Sequence, residues 1–380
     1  MERPRKVLFL TTSLAPGGAE TVVMNLALAL RSSGCLVTVV SMLEPTAFVD
    51  ELEAAGVTVI SLGMLRNRFN FTGMWRFSQC LRRFRPDIIH AHMFHASILA
   101  RVARFLTGIP AVCTIHSEIE CSHRKNSASG LRDWIYRATD AAASHTTAVS
   151  ERVRQRYVDS KIVPAHRIEV IDNGVDPDRF QPCPEQRQRT RIELGWRDHF
   201  VWLAVGRLEL AKDYPNLIQA FQRVHADLPS ARLAIVGEGR MRSWIEQAIE
   251  SAGLQTAVAL LGLRDDVPAL LNACDALVMA SAWEGGPLVL LEAGAAGRPV
   301  VSTRVGAASE IVVPGRTGLL VAPRDPASLA RAMGDLMALG TETLDQMGER
   351  ARRHIIDRFS LGSLHDRYRK LYEEVLLSSL

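Results

Sequence analysis

Short apolar runs alternate with longer amphipathic stretches almost from end to end of the chain. KVLFLTT, LVTVVSM, VTVISL, DIIHAH, AVCTIH and TTAVS are rich in Val, Ile, Leu and Thr and read as strands. Helical stretches over 18–33, 93–106 and 150–157 separate them. The strand runs are continuously apolar rather than alternating, which marks a parallel sheet covered by helices on both faces. The stretch 176–199, DPDRFQPCPEQRQRTRIELGWRDH, changes character: three prolines, many charges and no sustained strand. It reads as an interdomain linker carrying a short helix. The alternation then restarts, with VWLAVG, RLAIVG, VALLG, ALVMAS, PVVST and GLLVA as strands. Helices are expected near 215–228, 241–252, 266–273, 287–296, 326–338 and 342–357, and a last amphipathic one over 361–376. The fold class is α/β, with two doubly wound, Rossmann-like domains in tandem over 1–178 and 179–360. The remaining 361–380 is expected to pack back toward the first domain. Ligands of such folds lie at the carboxyl ends of the strands, here facing a central cleft.

Length agrees, since 380 residues exceed one ordinary core. Hydrophobic residues make up 47% and charged residues 23%, a soluble globular balance that excludes collagen, coiled coil and wholesale disorder. No apolar run approaches the roughly 18 residues of a membrane-spanning helix. Arg3, Arg5 and Lys6 followed by VLFL imitate a signal peptide, but four apolar residues fall short of the usual run of about 7–15. A buried first strand is the better reading. Six scattered cysteines with no C-x-x-C pair indicate neither a zinc site nor a disulfide framework, and fit a reducing cytoplasm. The net charge of +4 is unevenly placed: residues 1–180 hold 22 Lys/Arg against 17 Asp/Glu, and 54–117 hold eight basic residues and one acid, Asp87. That asymmetry points to an anionic partner for the first half, whether membrane surface, polyphosphate lipid or nucleic acid. On charge alone a solvated basic face serves as well.

Candidate chemistry sits where strands meet helices. Gly17 and Gly18 follow the first strand and precede a helix, letting backbone N–H groups approach an anion. The loop is not G-x-G-x-x-G, so the dinucleotide fingerprint is absent. Arg207 stands just beyond a strand in VGRL, with Lys212 five residues on; a bidentate guanidinium and a mobile ammonium suit a diphosphate. Gly237-Glu238-Gly239 lets the backbone turn beside a ligand. In SAWEGGPLVLLEAGAAGRPVV, Glu284 lies on the loop after a strand and Pro287 at the expected first helical position. Glu292 lies inside an otherwise apolar helix, where a carboxylate needs either a ligand or a structural ion pair. One carboxylate can face a sugar while the other accepts bonds from ribose hydroxyls, and the helix start offers N–H groups to phosphate. His90, His92 and His95 lack a neighbouring acid cluster and read as a structural turn rather than a metal site. Asp176-Pro177-Asp178 is formally a D-x-D, but it lies in the linker and reads as a turn.

E-G-G-P-L-V-L-L-E resembles the E-x7-E element of the retaining family-4 glycosyltransferases of GT-B architecture. The order of the other motifs is similar to that family as well: G-G-A-E in the first loop, I-D-N-G-V-D closing the first domain, V-G-R-L with Lys212, V-G-E-G, L-G-L-R-D-D-V-P-A-L-L-N-A-C-D, and P-G-R-T-G-L-L-V-A-P. The resemblance spans nearly the whole chain. It implies that Gly17 and Gly18, by their backbone, hold the donor diphosphate with Arg207 and Lys212. It implies that Glu292 binds the ribose, with Leu288 at the nucleotide, and that the segment around Gly262 and Arg264 meets the nucleobase. Glu284 would contact the transferred sugar, and His116 matches the family's active-site histidine. Gly286 stands where that family often has a bulkier residue.

The activity implied is retaining transfer of a sugar from a nucleotide diphosphate sugar, a UDP-sugar ahead of GDP-mannose. The acceptor would be a hydroxyl of a lipid-linked or saccharide molecule in surface-polysaccharide or glycolipid synthesis. No cofactor, metal or nucleic acid is implied. A sugar-nucleotide epimerase of similar architecture and a catalytically silent partner subunit are the alternatives; the latter lacks its expected signature, loss of the motif residues.

The basic stretch from Leu65 to Asp87 bears on the acceptor. On a helix, Met74, Phe77, Leu81 and Phe84 form one core-facing stripe, leaving Phe71 and Trp75 outward among Arg76, Arg82 and Arg83. Aromatic rings flanked by arginines suit the headgroup level of an anionic bilayer. A solvated helix whose Trp covers a neighbouring loop is the alternative. The expectation is a protein peripheral on the inner leaflet of the cytoplasmic membrane.

Overall fold

The computed structural model describes residues 4–65, 70–118 and 127–378; Arg66 and Arg68 of the basic stretch lie outside them. The chain divides into two units, Met1–Asn173 with Leu361–Leu380, and Gly174–Ser360.

In the first unit the elements run β1 (Lys6–Thr11), α1 (Gly18–Ser32), β2 (Leu36–Ser41), α2 (Val49–Ala54), β3 (Thr58–Ser61), α3 (Phe71–Phe84), β4 (Ile88–His92), α4 (Phe94–Thr107), β5 (Ala111–Ile115), α5 (Ser127–Thr139), β6 (His145–Ala148), α6 (Glu151–Asp159) and β7 (Ile168–Val170). The sheet is parallel, in the order β3-β2-β1-β4-β5-β6-β7. Alternate residues of β1 explain its unbroken hydrophobicity. Val7 and Phe9 pack under α1, whereas Leu8 and Leu10 face the opposite side with Phe77 and Leu81 of α3 and Leu99 and Ala103 of α4.

The second unit contains α7 (Pro184–Glu193), β8 (Phe200–Val205), α8 (Tyr214–Asp227), β9 (Ala231–Val236), α9 (Arg242–Ser251), β10 (Val258–Gly262), α10 (Val267–Ala273), β11 (Ala276–Met279), α11 (Leu288–Ala295), β12 (Val300–Thr303), α12 (Ala308–Ile311), β13 (Gly318–Val321), α13 (Pro326–Met337) and α14 (Thr341–Phe359). Its sheet order is β10-β9-β8-β11-β12-β13. The final helix, α15 (Leu361–Leu377), belongs to the first unit. Its buried stripe Leu364, Tyr368, Leu371, Tyr372 and Val375 joins the core beneath α1, spaced three and four apart as one helix face requires.

Two expectations need correction. The stretch 176–199, expected to be an interdomain linker with a short helix, belongs to the second unit, because its helix α7 is bolted to α10. Arg187 donates to the carbonyls of Asn272, Ala273 and Cys274, which end α10, and pairs with Asp275, which also holds Arg191. Pro287 is the N-cap of α11 rather than its first helical residue, since its ψ of 105° is extended. Among the described residues no helix is long and apolar enough to cross a membrane.

The strand orders reverse direction between β1 and β4 and between β8 and β11. Loops leaving such neighbours diverge to opposite faces and open a crevice at the strands' carboxyl ends. Each unit therefore has one such place.

Candidate active site

In the second unit the β8–β11 crevice holds most of the motif residues. Arg207, exposed, directly follows β8, and Lys212 ends a 3₁₀ turn, Leu210–Lys212. Beyond β11 the loop carries Glu284, whose Oε1 accepts from Lys212 Nζ at 2.6 Å and from Ser281 Oγ at 2.8 Å. Ser281 is itself buried, and its carbonyl accepts from Thr303 Oγ1 at 2.7 Å. The Glu284 carboxylate is thus held by two donors that the backbone in turn supports. At Gly306, with φ of 51°, a Cβ would overlap the Gly285 carbonyl oxygen, so only glycine lets the β12–α12 turn lie this close to the Glu284 loop.

Glu292 lies one turn into α11 and is half-buried. Among the described residues its carboxyl makes no hydrogen bond or ion pair, which sets aside a structural salt bridge. Burial pushes its pKa up to about 7, against the pull of Arg179 and Lys212. A half-buried carboxyl, unpaired among the described residues and near two cations, can accept a ligand's hydroxyls. The Leu288 side chain is buried, so a ligand can meet this residue only through its backbone N–H at the start of the helix.

Gly262 ends β10, and Arg264 two residues on is clamped by Asp266 through bonds of 2.7 and 2.6 Å. Its guanidinium is therefore already engaged. Asp176 spends its carboxylate on the backbone N–H of Asp178 at 3.0 Å, so the D-x-D is a turn.

In the first unit, the β1–β4 crevice is bordered by the Gly17–Gly18 loop and the end of β4. Gly17 caps α1, and Glu20 in the first helical turn swings its carboxylate back beside it, taking a bond from Ser13 Oγ at 2.7 Å. That carboxylate occupies the space a Cβ at Gly17 would take, a feature the glycine pattern did not reveal. His116, just past β5, has Nε2 2.8 Å from Nδ1 of His92, and burial pushes its pKa down to about 4. His95 is exposed, and among the described residues no three His, Cys, Asp or Glu side chains gather as a metal would need.

On α3, Phe77, Cys80 and Leu81 are buried, with Met74 and Phe84 packed beside them, whereas Phe71 and Trp75 are 80% and 61% exposed. Arg82 and Arg83 are exposed. Arg76 is exposed too, but it turns its guanidinium onto the Leu62 carbonyl at 3.3 Å. Leu131 and Trp134 on α5 and Phe105 and Leu106 on α4 add exposed apolar surface to the unit.

Sequence reading missed Ser281, Thr303, Glu20 and the contact between His92 and His116. Ser281-x-x-Glu284 did carry a signal, a capping-box spacing before a helix. The structure uses it differently: no helix starts directly after Ser281, Glu284 accepts from both Ser281 and Lys212, and α11 begins only at Leu288.

Two family models match the chain: Glycosyltransferase Family 4 over residues 16–179 and Glycosyl transferases group 1 over residues 186–354. The chain is 26% identical over 303 residues to the Escherichia coli UDP-Gal:alpha-D-GlcNAc-diphosphoundecaprenol alpha-1,3-galactosyltransferase, spanning 78% of each. It is 32% identical over 267 residues to glycogen synthase of Mycobacterium tuberculosis, covering 67% of this chain and 61% of that one. Among solved structures it is similar to Anabaena HepE in complex with UDP-glucose, at 26% identity and a TM-score of 0.84, over 99% of this chain and 100% of that one.

Proposed function

Because this chain belongs to the family-4 glycosyltransferases of GT-B fold, we propose that it moves a sugar from a UDP-sugar to a hydroxyl of a lipid-linked saccharide, retaining the α configuration. The observation that carries this reading is the unpaired, half-buried Glu292 carboxyl beside the Lys212–Glu284 pair. Ribose hydroxyls satisfy Glu292, and the diphosphate takes Lys212 and Arg207. As the diphosphate draws Lys212 away, Glu284 is freed to accept a hydroxyl of the transferred sugar, still oriented by Ser281. The barrier lies in separating an oxocarbenium-like sugar from the diphosphate, and fixed cations stabilise that charge where it develops. Retention by two carboxylates needs them about 5 Å apart across the anomeric carbon. Here Glu284 serves the sugar and Glu292 the ribose, so the acceptor attacks from the face the diphosphate leaves, and that phosphate takes its proton. The preference for UDP is supported by the nucleotides in the names of the galactosyltransferase and of the HepE complex.

A donor screen read by nucleotide release tests this. UDP release from a UDP-sugar, with a new glycoside formed only when a polyprenyl-diphosphate sugar is present, is the expected result. Product without acceptor would point to an epimerase, and GDP release from GDP-mannose alone would overturn the UDP assignment. Arg207 and Lys212 can neutralise the leaving diphosphate without a divalent ion, so full activity is expected in excess chelator. Recovery only on adding manganese or magnesium would refute that.

The acceptor's lipid places the enzyme at a membrane, and α3 offers the surface. Phe71 and Trp75 insert at headgroup level while Arg82 and Arg83 meet anionic lipid, each basic residue adding about 1 kcal/mol. Arg76 contributes less, its guanidinium being tied to Leu62. Sedimentation with vesicles of phosphatidylglycerol and phosphatidylethanolamine should rise with the anionic fraction and fall with salt. The Trp75→Ala/Arg82→Glu/Arg83→Glu variant should lose binding yet still use a water-soluble acceptor. Equal sedimentation of variant and parent, or none by either, would exclude docking through this helix.

A further inference from the structure

β4 ends on two buried histidines that the fold treats differently. His90 has both ring nitrogens engaged, Nδ1 with the Tyr372 hydroxyl and Nε2 with Thr114 Oγ1, each at 2.6 Å. Thr147 and the Tyr368 hydroxyl complete that network at 2.7 and 3.1 Å from Thr114. It is a satisfied core, pinning α15 to the sheet. His92 is equally buried and lies against His90, with ring centroids 4.2 Å apart and the rings tilted by 41°. Among the described residues only its Nδ1 has a hydrogen-bond partner, His116 Nε2 at 2.8 Å, while its Nε2 is buried with none. An apolar side chain would fill this space without an idle polar atom. The following residue adds a second cost. Met93 has φ of 71° and ψ of 162°, a strained conformation that non-glycine residues rarely hold. Ser97 secures the turn, its N and Oγ bonding the Met93 carbonyl at 3.0 and 2.9 Å. Both costs fall where the chain sets the His92 contact to His116.

We infer that His92 is a positioning residue for sugar transfer, fixing the tautomer and ring orientation of His116 through the Nδ1–Nε2 hydrogen bond. This rests on the reading that His116 meets the donor sugar. Burial holds both rings neutral, pushing His92 well below its ordinary range, so one proton occupies the bond between them. Were that proton on His116, His92 would carry its own on Nε2, burying an N–H with no acceptor. A bare lone pair there is the less costly orphan. His92 therefore donates from Nδ1, and His116 carries its proton on Nδ1, where it acts as a hydrogen-bond donor.

Nitrogen-15 NMR of the full chain labelled at histidine, assigned with His92→Asn and His116→Ala, reads the tautomers without any substrate. The expected result is His116 protonated at Nδ1 and bare at Nε2; a protonated His116 Nε2 would overturn the inference. Kinetics supply the second reading, as UDP release from UDP-glucose. His92→Phe should lower kcat about 10²-fold, as small misplacements of a reacting group do, with KM and UDP affinity within twofold of the parent. His92→Asn, whose amide offers a donor near the Nδ1 position, should recover most of the rate. A His92→Phe protein that melts with the parent and turns over at the parental rate, while His116→Ala is slow, removes the positioning role alone. A His116→Ala protein at the parental rate removes the role of His116 and this inference with it. Should His92→Phe not fold, the tautomer of the parent and the rate of His92→Asn still decide.

Discussion

Lys212→Ala is expected to slow sugar transfer by about 10²–10³-fold, the usual consequence of deleting one preorganised group aimed at developing charge. Arg207→Ala should fall in the same range. The two variants should nevertheless differ in the resting protein. Arg207 is exposed at the end of β8, so its loss leaves the fold as it was. Lys212 sits 2.6 Å from the part-buried Glu284 carboxylate, which among the described residues would then be held by Ser281. Removing one partner of such a pair strands the other's charge. Lys212→Ala should therefore cost some thermal stability, and the Lys212→Ala/Glu284→Gln double variant should regain it without regaining activity. Single-turnover rates of nucleotide release, with melting curves on the same samples, check both halves. Near-parental turnover in both single variants would mean that the diphosphate is held elsewhere.

Glu292→Gln should weaken UDP binding by about 10- to 100-fold, since hydrogen bonds to a charged group contribute about 1.5–3 kcal/mol. Only the ionised carboxyl accepts from two ribose hydroxyls at full strength. With its pKa pushed up to about 7, the ratio of parent to variant affinity should grow between about pH 6 and 8. Stability should move the opposite way. The folded protein holds this proton more tightly than the unfolded chain, because the group's ordinary value of 4.5 is raised to about 7. The stability it supplies is full below 4.5 and is lost as pH rises through 7, amounting to about 3 kcal/mol. Glutamine carries no such penalty. Without nucleotide at pH 8 the variant should melt on the order of 5 °C above the parent, and the gap should close toward pH 4.5. Unchanged UDP affinity would remove Glu292 from the ribose. A variant melting below the parent at pH 8 would show that the carboxylate supports the fold.

Much of this site was legible because each motif residue stands at the end of an element the local pattern already marks. Arg207 follows VWLAV, Glu284 follows ALVM, and Glu292 is the one charge in an apolar helix. The pattern was silent on β7, only three residues long, and on α2, a six-residue helix. What these residues do to one another was not legible. Lys212 and Glu284 are 72 positions apart, and His92 and His116 24 apart. No local periodicity reports such meetings. His92 read, with His90 and His95, as part of a structural turn, a description that fits the satisfied His90 but misses the nitrogen of His92 that has no partner among the described residues. The spacing Ser281-x-x-Glu284 even invites a wrong local answer, a helix cap, because the competing partner arrives from another strand's loop.

The sequence by itself determined the alternation of strands and helices, the two doubly wound domains, and which polar residues stand at strand ends. These follow from side-chain periodicity and backbone propensity, which act within a turn or two of each residue. The tertiary structure alone decided that β1 lies beside β4 and β8 beside β11, which opens the crevices. It also left the Glu292 carboxyl, among the described residues, near Arg179 and Lys212 but in no direct ion pair. Those outcomes depend on which distant apolar faces bury one another and which polar atoms they carry out of water. That exchange is settled between segments far apart in the chain, when the core closes.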